Sequence, residues 1–263
     1  MNQVMAKFAA LKSRRQKALV TYVMGGDPQL SETPRILEML AGAGADLIEV
    51  GIPFSDPIAD GPVIQAAGHR SLENGCTVGK LLATLKQAIA NLDIPVVLMT
   101  YYNSIYRRGL ERFMTEAQAA GVAGLIIPDL LPDDSETIRR LAEEHEIGMN
   151  FLIAPTSVET RIKQADLAST GFIYAVSVRG ITGVRNQLPV DLGDFMGRVK
   201  ANTTKPVAIG FGIATPEQVR TVAPLADGVI VGSAVVQSIA ADPSLQSAGN
   251  LVRSLREALD ELA

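Results

Sequence analysis

Two carboxylates in this chain are set where acid–base chemistry could use them. Glu49 interrupts the apolar run Leu47-Ile48-Glu49-Val50-Gly51, and Asp60 ends the stretch Pro53-Phe54-Ser55-Asp56-Pro57-Ile58-Ala59-Asp60 that follows. In a strand alternate side chains share a face, so Leu47, Glu49 and Gly51 point one way and Ile48 and Val50 the other. If that strand lines a barrel, Glu49 faces the interior. Desolvation there raises a carboxyl from its ordinary pKa of about 4.3 toward the range of a general acid or base. A structural Glu would bring a cationic partner, and this segment holds neither Lys nor Arg. The plainer readings are a hydrogen-bonded core carboxylate for Glu49, and a helix cap or turn former for Asp60, which precedes Gly61-Pro62.

Late in the chain come two glycine turns, Gly210-Phe211-Gly212-Ile213-Ala214-Thr215 and Val231-Gly232-Ser233-Ala234. Each leaves an apolar run and precedes a helical stretch. Glycines at such points let backbone N–H groups approach an oxyanion, and a helix N-terminus adds a favourable dipole, so the pair reads as a phosphate cradle. Each turn taken singly is as readily a plain turn. The stretch Ser177-Val178-Arg179-Gly180-Ile181-Thr182-Gly183-Val184-Arg185-Asn186 reads as a lid, with a surface loop of no role as the alternative. Tyr22, Tyr101 and Tyr174 fall at strand ends, where they could wall a flat aromatic ligand or simply fill the core.

Positioning these groups requires a scaffold, and the alternation of short β-rich runs with helix-period stretches predicts parallel βα units. Eight candidate strands run Leu19 to Met24, Leu47 to Val50, Val96 to Thr100, Gly124 to Ile127, Met149 to Ile153, Phe172 to Ser177, Val207 to Gly210 and Gly228 to Val231. Leu81, Leu82, Leu85 and Ile89 share one helix face, and Ser157 and Thr215-Pro216 are candidate helix starts. Eight units in 263 residues fit a single (β/α)8 TIM barrel domain spanning residues 1–263, with an extra amphipathic helix at the N-terminus. An open doubly wound sheet is the alternative. It would want a G-x-G-x-x-G fingerprint in the first βα turn, which reads Met24-Gly25-Gly26-Asp27-Pro28.

Composition narrows the chemistry further. A net charge of -4 offers no electrostatic footprint for nucleic acid or an anionic membrane, and no apolar run approaches the length of a membrane span. A cytoplasmic protein is expected. The single Cys76 cannot form an intramolecular disulfide, and two separated histidines, His69 and His145, make a zinc or iron site a poor expectation. A Schiff-base aldolase would want a lysine inside the barrel, yet the sixth strand has none and Lys205 precedes the seventh at the wrong end. Neither histidine ends a candidate strand, as an electrophile of the triose-phosphate isomerase type would.

The run Leu47 to Gly61 with Glu49 and Asp60, the Gly210-Phe211-Gly212 turn and the Gly232-Ser233 turn resemble the tryptophan synthase alpha-subunit family, over about Phe8 to Leu259. The resemblance implies a lyase that cleaves indole-3-glycerol phosphate to indole and glyceraldehyde 3-phosphate without metal or cofactor. It also implies a beta-subunit partner, in an alpha2beta2 heterotetramer serving tryptophan biosynthesis. By the same resemblance Glu49 is the general acid–base and Asp60 holds the ring N–H. Thr182, Gly183, Phe211, Gly212, Gly232 and Ser233 match positions that close over the substrate or grip its phosphate, and Tyr22 stands where many members carry Phe. A free-standing lyase of the same fold and a catalytically idle, phosphate-binding activating subunit are the competing expectations.

Overall fold

The computed structural model describes residues 2–176, 191–210 and 212–262. After α1 (Gln3–Ser13) the chain alternates through β1 (Ala18–Met24), α2 (Thr33–Gly42), β2 (Leu47–Gly51), α3 (Pro62–Glu73), α4 (Val78–Ile89), β3 (Val96–Met99), α5 (Tyr102–Arg108) and α6 (Leu110–Ala119). It continues through β4 (Gly124–Ile126), α7 (Glu136–Glu144), β5 (Gly148–Asn150), β6 (Leu152–Ile153), α8 (Glu159–Ala168), β7 (Ile173–Val176) and α9 (Leu192–Ala201). The last units are β8 (Val207–Gly210), α10 (Pro216–Val222), β9 (Gly228–Val231), α11 (Ser233–Ala241) and α12 (Gln246–Asp260).

Every strand pair among the described residues is parallel, and β1 lies between β2 and β9. The strand expected over Met149 to Ile153 is broken at Phe151. Its first part, β5, pairs with β4, and its second part, β6, pairs with β7, so one stretch of chain joins both edges and the sheet closes as a (β/α)8 TIM barrel. Asn150 stitches this seam. Its amide nitrogen donates to the Leu125 carbonyl at 3.0 Å, and its oxygen accepts from Phe172 N–H at 2.8 Å.

Parallel strands covered by helices are buried on both faces, which is why they read as nearly unbroken apolar runs. The two faces serve different cores. Leu19, Val23, Ile48, Val50 and Leu98 point out to the helices. Val20, Tyr22, Met24, Leu47, Val97, Met99 and Ile230 belong to the inner cluster, together with Val4, Phe8 and Leu11 of α1. The expected N-terminal helix therefore covers the inner core at the N-terminal ends of the strands, with the Phe8 ring 5.5 Å from that of Phe172. Asn2 caps it, accepting from Met5 N–H at 3.0 Å and donating to the Thr170 carbonyl at 2.8 Å.

Of the two expected helix starts, Thr215 caps α10 through a reciprocal capping box with Gln218. Ser157 does not cap α8, whose N-cap is Val158. Its hydroxyl accepts instead from Ala154 N–H at 3.0 Å, because the turn closes one residue before the helix begins.

Candidate active site

Glu49 sits mid-strand in β2, in register with Tyr22 of β1 on one side and Val97 of β3 on the other, both inner-face residues. Strand alternation thus carries its side chain into the barrel. It is fully buried, and neither carboxylate oxygen has a hydrogen-bond partner among the described residues. Burial, and then the charge of Asp60, push its pKa up to about 8. A carboxyl in that state is protonated at neutral pH and can donate as readily as it accepts.

Asp60 is not the cap of the helix after it. The N-cap of α3 is Gly61, and the proline at the first helical position has no N–H to satisfy. The Asp60 backbone is held by its N–H to the Pro57 carbonyl at 3.1 Å and by Gln65 Nε2 donating to its own carbonyl at 2.8 Å. Its carboxylate is freed for the cavity edge. Burial pushes its pKa up to about 6, and a hydrogen bond from Tyr101 pulls the other way. Two acids in one site are thereby set on opposite sides of neutrality, the arrangement that assigns one as acid and leaves the other ionised.

Glu49, Asp60, Tyr22, Tyr174, Gly212, Gly232 and Ser233 line one cavity. The two tyrosines lie over glycines of neighbouring strands. A Cβ on Gly51 would fall 2.1 Å from the Tyr22 hydroxyl, and one on Gly210 would fall 2.9 Å from the Tyr174 ring. Burial, with the nearby carboxylates, raises both phenols well above their ordinary pKa, so both stay protonated.

The two late turns end differently. The α10 start is sealed by its own Thr215 side chain, whereas α11 begins after Gly232 with no side-chain cap, and Gly232 and Ser233 line the cavity. First-turn N–H groups left uncapped beside a cavity present a partial positive end to an anion. Gly212 takes φ +83°, a conformation that glycine adopts without strain.

Tyr101 does not line this cavity. It stands behind Asp60, stacked on Phe54, with its hydroxyl accepting from Ala59 N–H at 2.9 Å. Asp56 does not line the cavity either. Thr182, Gly183, Phe211 and the stretch Arg179 to Asn186 lie outside the described residues. Three apolar lining residues escaped the sequence reading: Ile64, Met99 and Ile230. Ile230 and Met99 were accessible through parity, being two residues from Gly228 and Val97 along their strands, and Ile64 lies one helical turn beyond Asp60. Isolated apolar residues in apolar runs carry no mark that separates a ligand wall from core.

Comparison with known proteins agrees with this fold. The family model for the tryptophan synthase alpha chain matches residues 8–262. The tryptophan synthase alpha chain of Dehalococcoides mccartyi is 44% identical over 94% of this chain and 97% of its own length. That of Arabidopsis thaliana is also 44% identical, over 96% and 94%. Among solved structures, Mycobacterium tuberculosis tryptophan synthase superposes with a TM-score of 0.91 at 36% identity, covering 98% of both chains. The alpha subunit from Legionella pneumophila gives 0.91 at 35%, covering 99% of both. With its barrel and nearly its whole length matched, the chain belongs to the tryptophan synthase alpha chain family.

Proposed function

We propose that this cavity carries out the family's reaction, retro-aldol cleavage of indole-3-glycerol phosphate to indole and glyceraldehyde 3-phosphate, with Glu49 and Asp60 as the reacting acids. The observation that carries the residue assignment is the buried Glu49 carboxyl, unpartnered among the described residues and protonated at neutral pH, sharing a cavity with the more acidic Asp60. Glu49 first gives its proton to the indole carbon bearing the side chain. The ring becomes a cationic indolenine, and the Asp60 carboxylate accepts from its N–H and offsets the charge. The Glu49 carboxylate then takes the proton of the adjacent side-chain hydroxyl. The carbon–carbon bond breaks, its electron pair returns to the ring, and the hydroxyl carbon becomes the aldehyde. Glu49 ends protonated, as it began, so no outside base is needed.

The uncapped α11 start with Gly232, Ser233 and Gly212 supports a role as the phosphate grip, since it supplies N–H donors at the cavity wall. Ile64, Met99 and Ile230 supply apolar wall for the indole ring.

A beta-subunit partner accords with family membership. We place its docking face at the mouth, in an alpha2beta2 heterotetramer acting in the cytoplasm. Ile58, Tyr106, Leu131 and Val158 are exposed large apolar residues, and all four belong to segments that follow the C-terminal ends of strands. The test is indole release from purified protein given indole-3-glycerol phosphate, with and without beta subunit. Indole in both cases, faster in the complex, supports the reading. Indole at the same rate in both favours a free-standing lyase, and no indole in either leaves an activating subunit.

A further inference from the structure

We propose that Tyr101 is a positioning residue that latches the loop of residues 53–60 and thereby holds the Asp60 carboxylate at the cavity edge. The proposal rests on the assignment of Asp60 to the reacting site. Three contacts converge on this one side chain. Its hydroxyl accepts from Ala59 N–H at 2.9 Å, which leaves its own proton to be directed at the neighbouring Asp60 carboxylate, while its ring stacks on Phe54 with centroids 5.1 Å apart and planes 25° apart. The first two grip the end of the loop and the third grips its start. Between them Ser55, Asp56 and Ile58 are exposed.

The latch is itself anchored. Tyr101 directly follows Thr100, whose N–H donates to the Ile126 carbonyl at 3.0 Å, and its own carbonyl accepts from Ser104 N–H at 3.0 Å. The next N–H, of Tyr102, donates to Asp129 at 2.9 Å. Beyond the loop, α3 is fixed at its far end. Arg70 pairs with Asp27 through two hydrogen bonds of 2.8 Å, and the Ser71 hydroxyl donates to the Gly25 carbonyl at 2.7 Å. Asp60 therefore hangs between a rigid helix and a rigid strand end, and the tyrosine hydroxyl joins them. Burial and then the charge of Asp60 raise that phenol above its ordinary pKa, so it remains a donor wherever Asp60 is ionised.

Tyr101→Phe keeps the stacked ring and removes the hydroxyl. In the full chain, kcat for indole release should fall about tenfold while KM moves less than about twofold, since Asp60 matters most when charge develops on the ring. The Asp60 titration, followed by carboxyl carbon NMR, should shift upward by about half a pH unit because a hydrogen bond to its charged form is lost. A raised KM with kcat unchanged would make Tyr101 a substrate wall and overturn the latch, as would an unmoved Asp60 titration. The NMR arm reads without turnover, so a wild-type protein that releases no indole would sink the catalytic assignment and leave this one still decided. Should the variant fail to fold, the wild-type Tyr101 hydroxyl proton decides: its resonance should follow the Asp60 titration, and indifference to it refutes the latch.

Discussion

Asn150 and Glu49 are both polar, both buried and both set within barrel strands, yet they meet opposite fates. At the seam, Asn150 gives and takes a hydrogen bond across two strands, and even its neighbours make room: a Cβ on Gly171 would fall 2.1 Å from its oxygen. At the mouth, Glu49 finds no partner among the described residues. A satisfied buried polar group helps specify the fold, whereas an unsatisfied one costs stability and is tolerated where chemistry uses it. The seam stabilises what the mouth strains.

The sharpest way to break this contrast is Glu49→Gln. The amide keeps the shape and cannot exchange protons, so indole release should fall by about 10²-fold or more. Retention of more than about a tenth of the wild-type rate would remove Glu49 from the acid–base role. Asn150→Ala should do the reverse. It leaves the Leu125 carbonyl and Phe172 N–H unpaired and opens a small cavity, costing about 2–4 kcal/mol in urea unfolding. The rate per folded molecule should stay close to wild type, and a rate loss as deep as that of Glu49→Gln would merge the two regions.

The stability difference between wild type and Glu49→Gln should also depend on pH in a defined sense. The folded-state pKa of Glu49 is about 8 against an unfolded value of 4.5, so the folded state holds the proton more tightly. Its contribution is therefore fully present below the unfolded value and is lost as pH rises through the folded one. Wild type should lose stability relative to the variant between those two pH values, by a few kcal/mol on the scale of about 1.4 kcal/mol per pKa unit. A difference that is flat with pH would mean Glu49 titrates normally. In catalysis the same values place the limbs of kcat/KM near pH 6, where Asp60 ionises, and near pH 8, where Glu49 loses its proton.

A smaller effect concerns the phosphate grip. Gly212→Val puts a β-branched residue at positive φ on the cavity wall, and inorganic phosphate or glycerol phosphate should bind more weakly by about tenfold. Unchanged affinity, measured by calorimetry, would move the grip elsewhere along the rim.

Much of the molecule is legible in the chain. Parity within Leu47 to Gly51 is enough to aim Glu49 inward, because a strand has a period of two regardless of its neighbours. The eight-unit alternation predicts the barrel for a similar reason: strands covered on both faces must be apolar almost throughout. What the chain could not settle were the relations between distant segments. Tyr101 reads as a ligand wall, since a strand-end tyrosine is amphipathic in any context, and only the folded loop puts Ala59, Asp60 and Phe54 around it. Ser157 and Thr215 look alike as caps, and the turn geometry before each helix separates them. The raised pKa values of Glu49 and Asp60 belong to no residue by itself. Local periodicity decides which way a side chain points, but desolvation and the proximity of a second charge exist only once the barrel has closed around them.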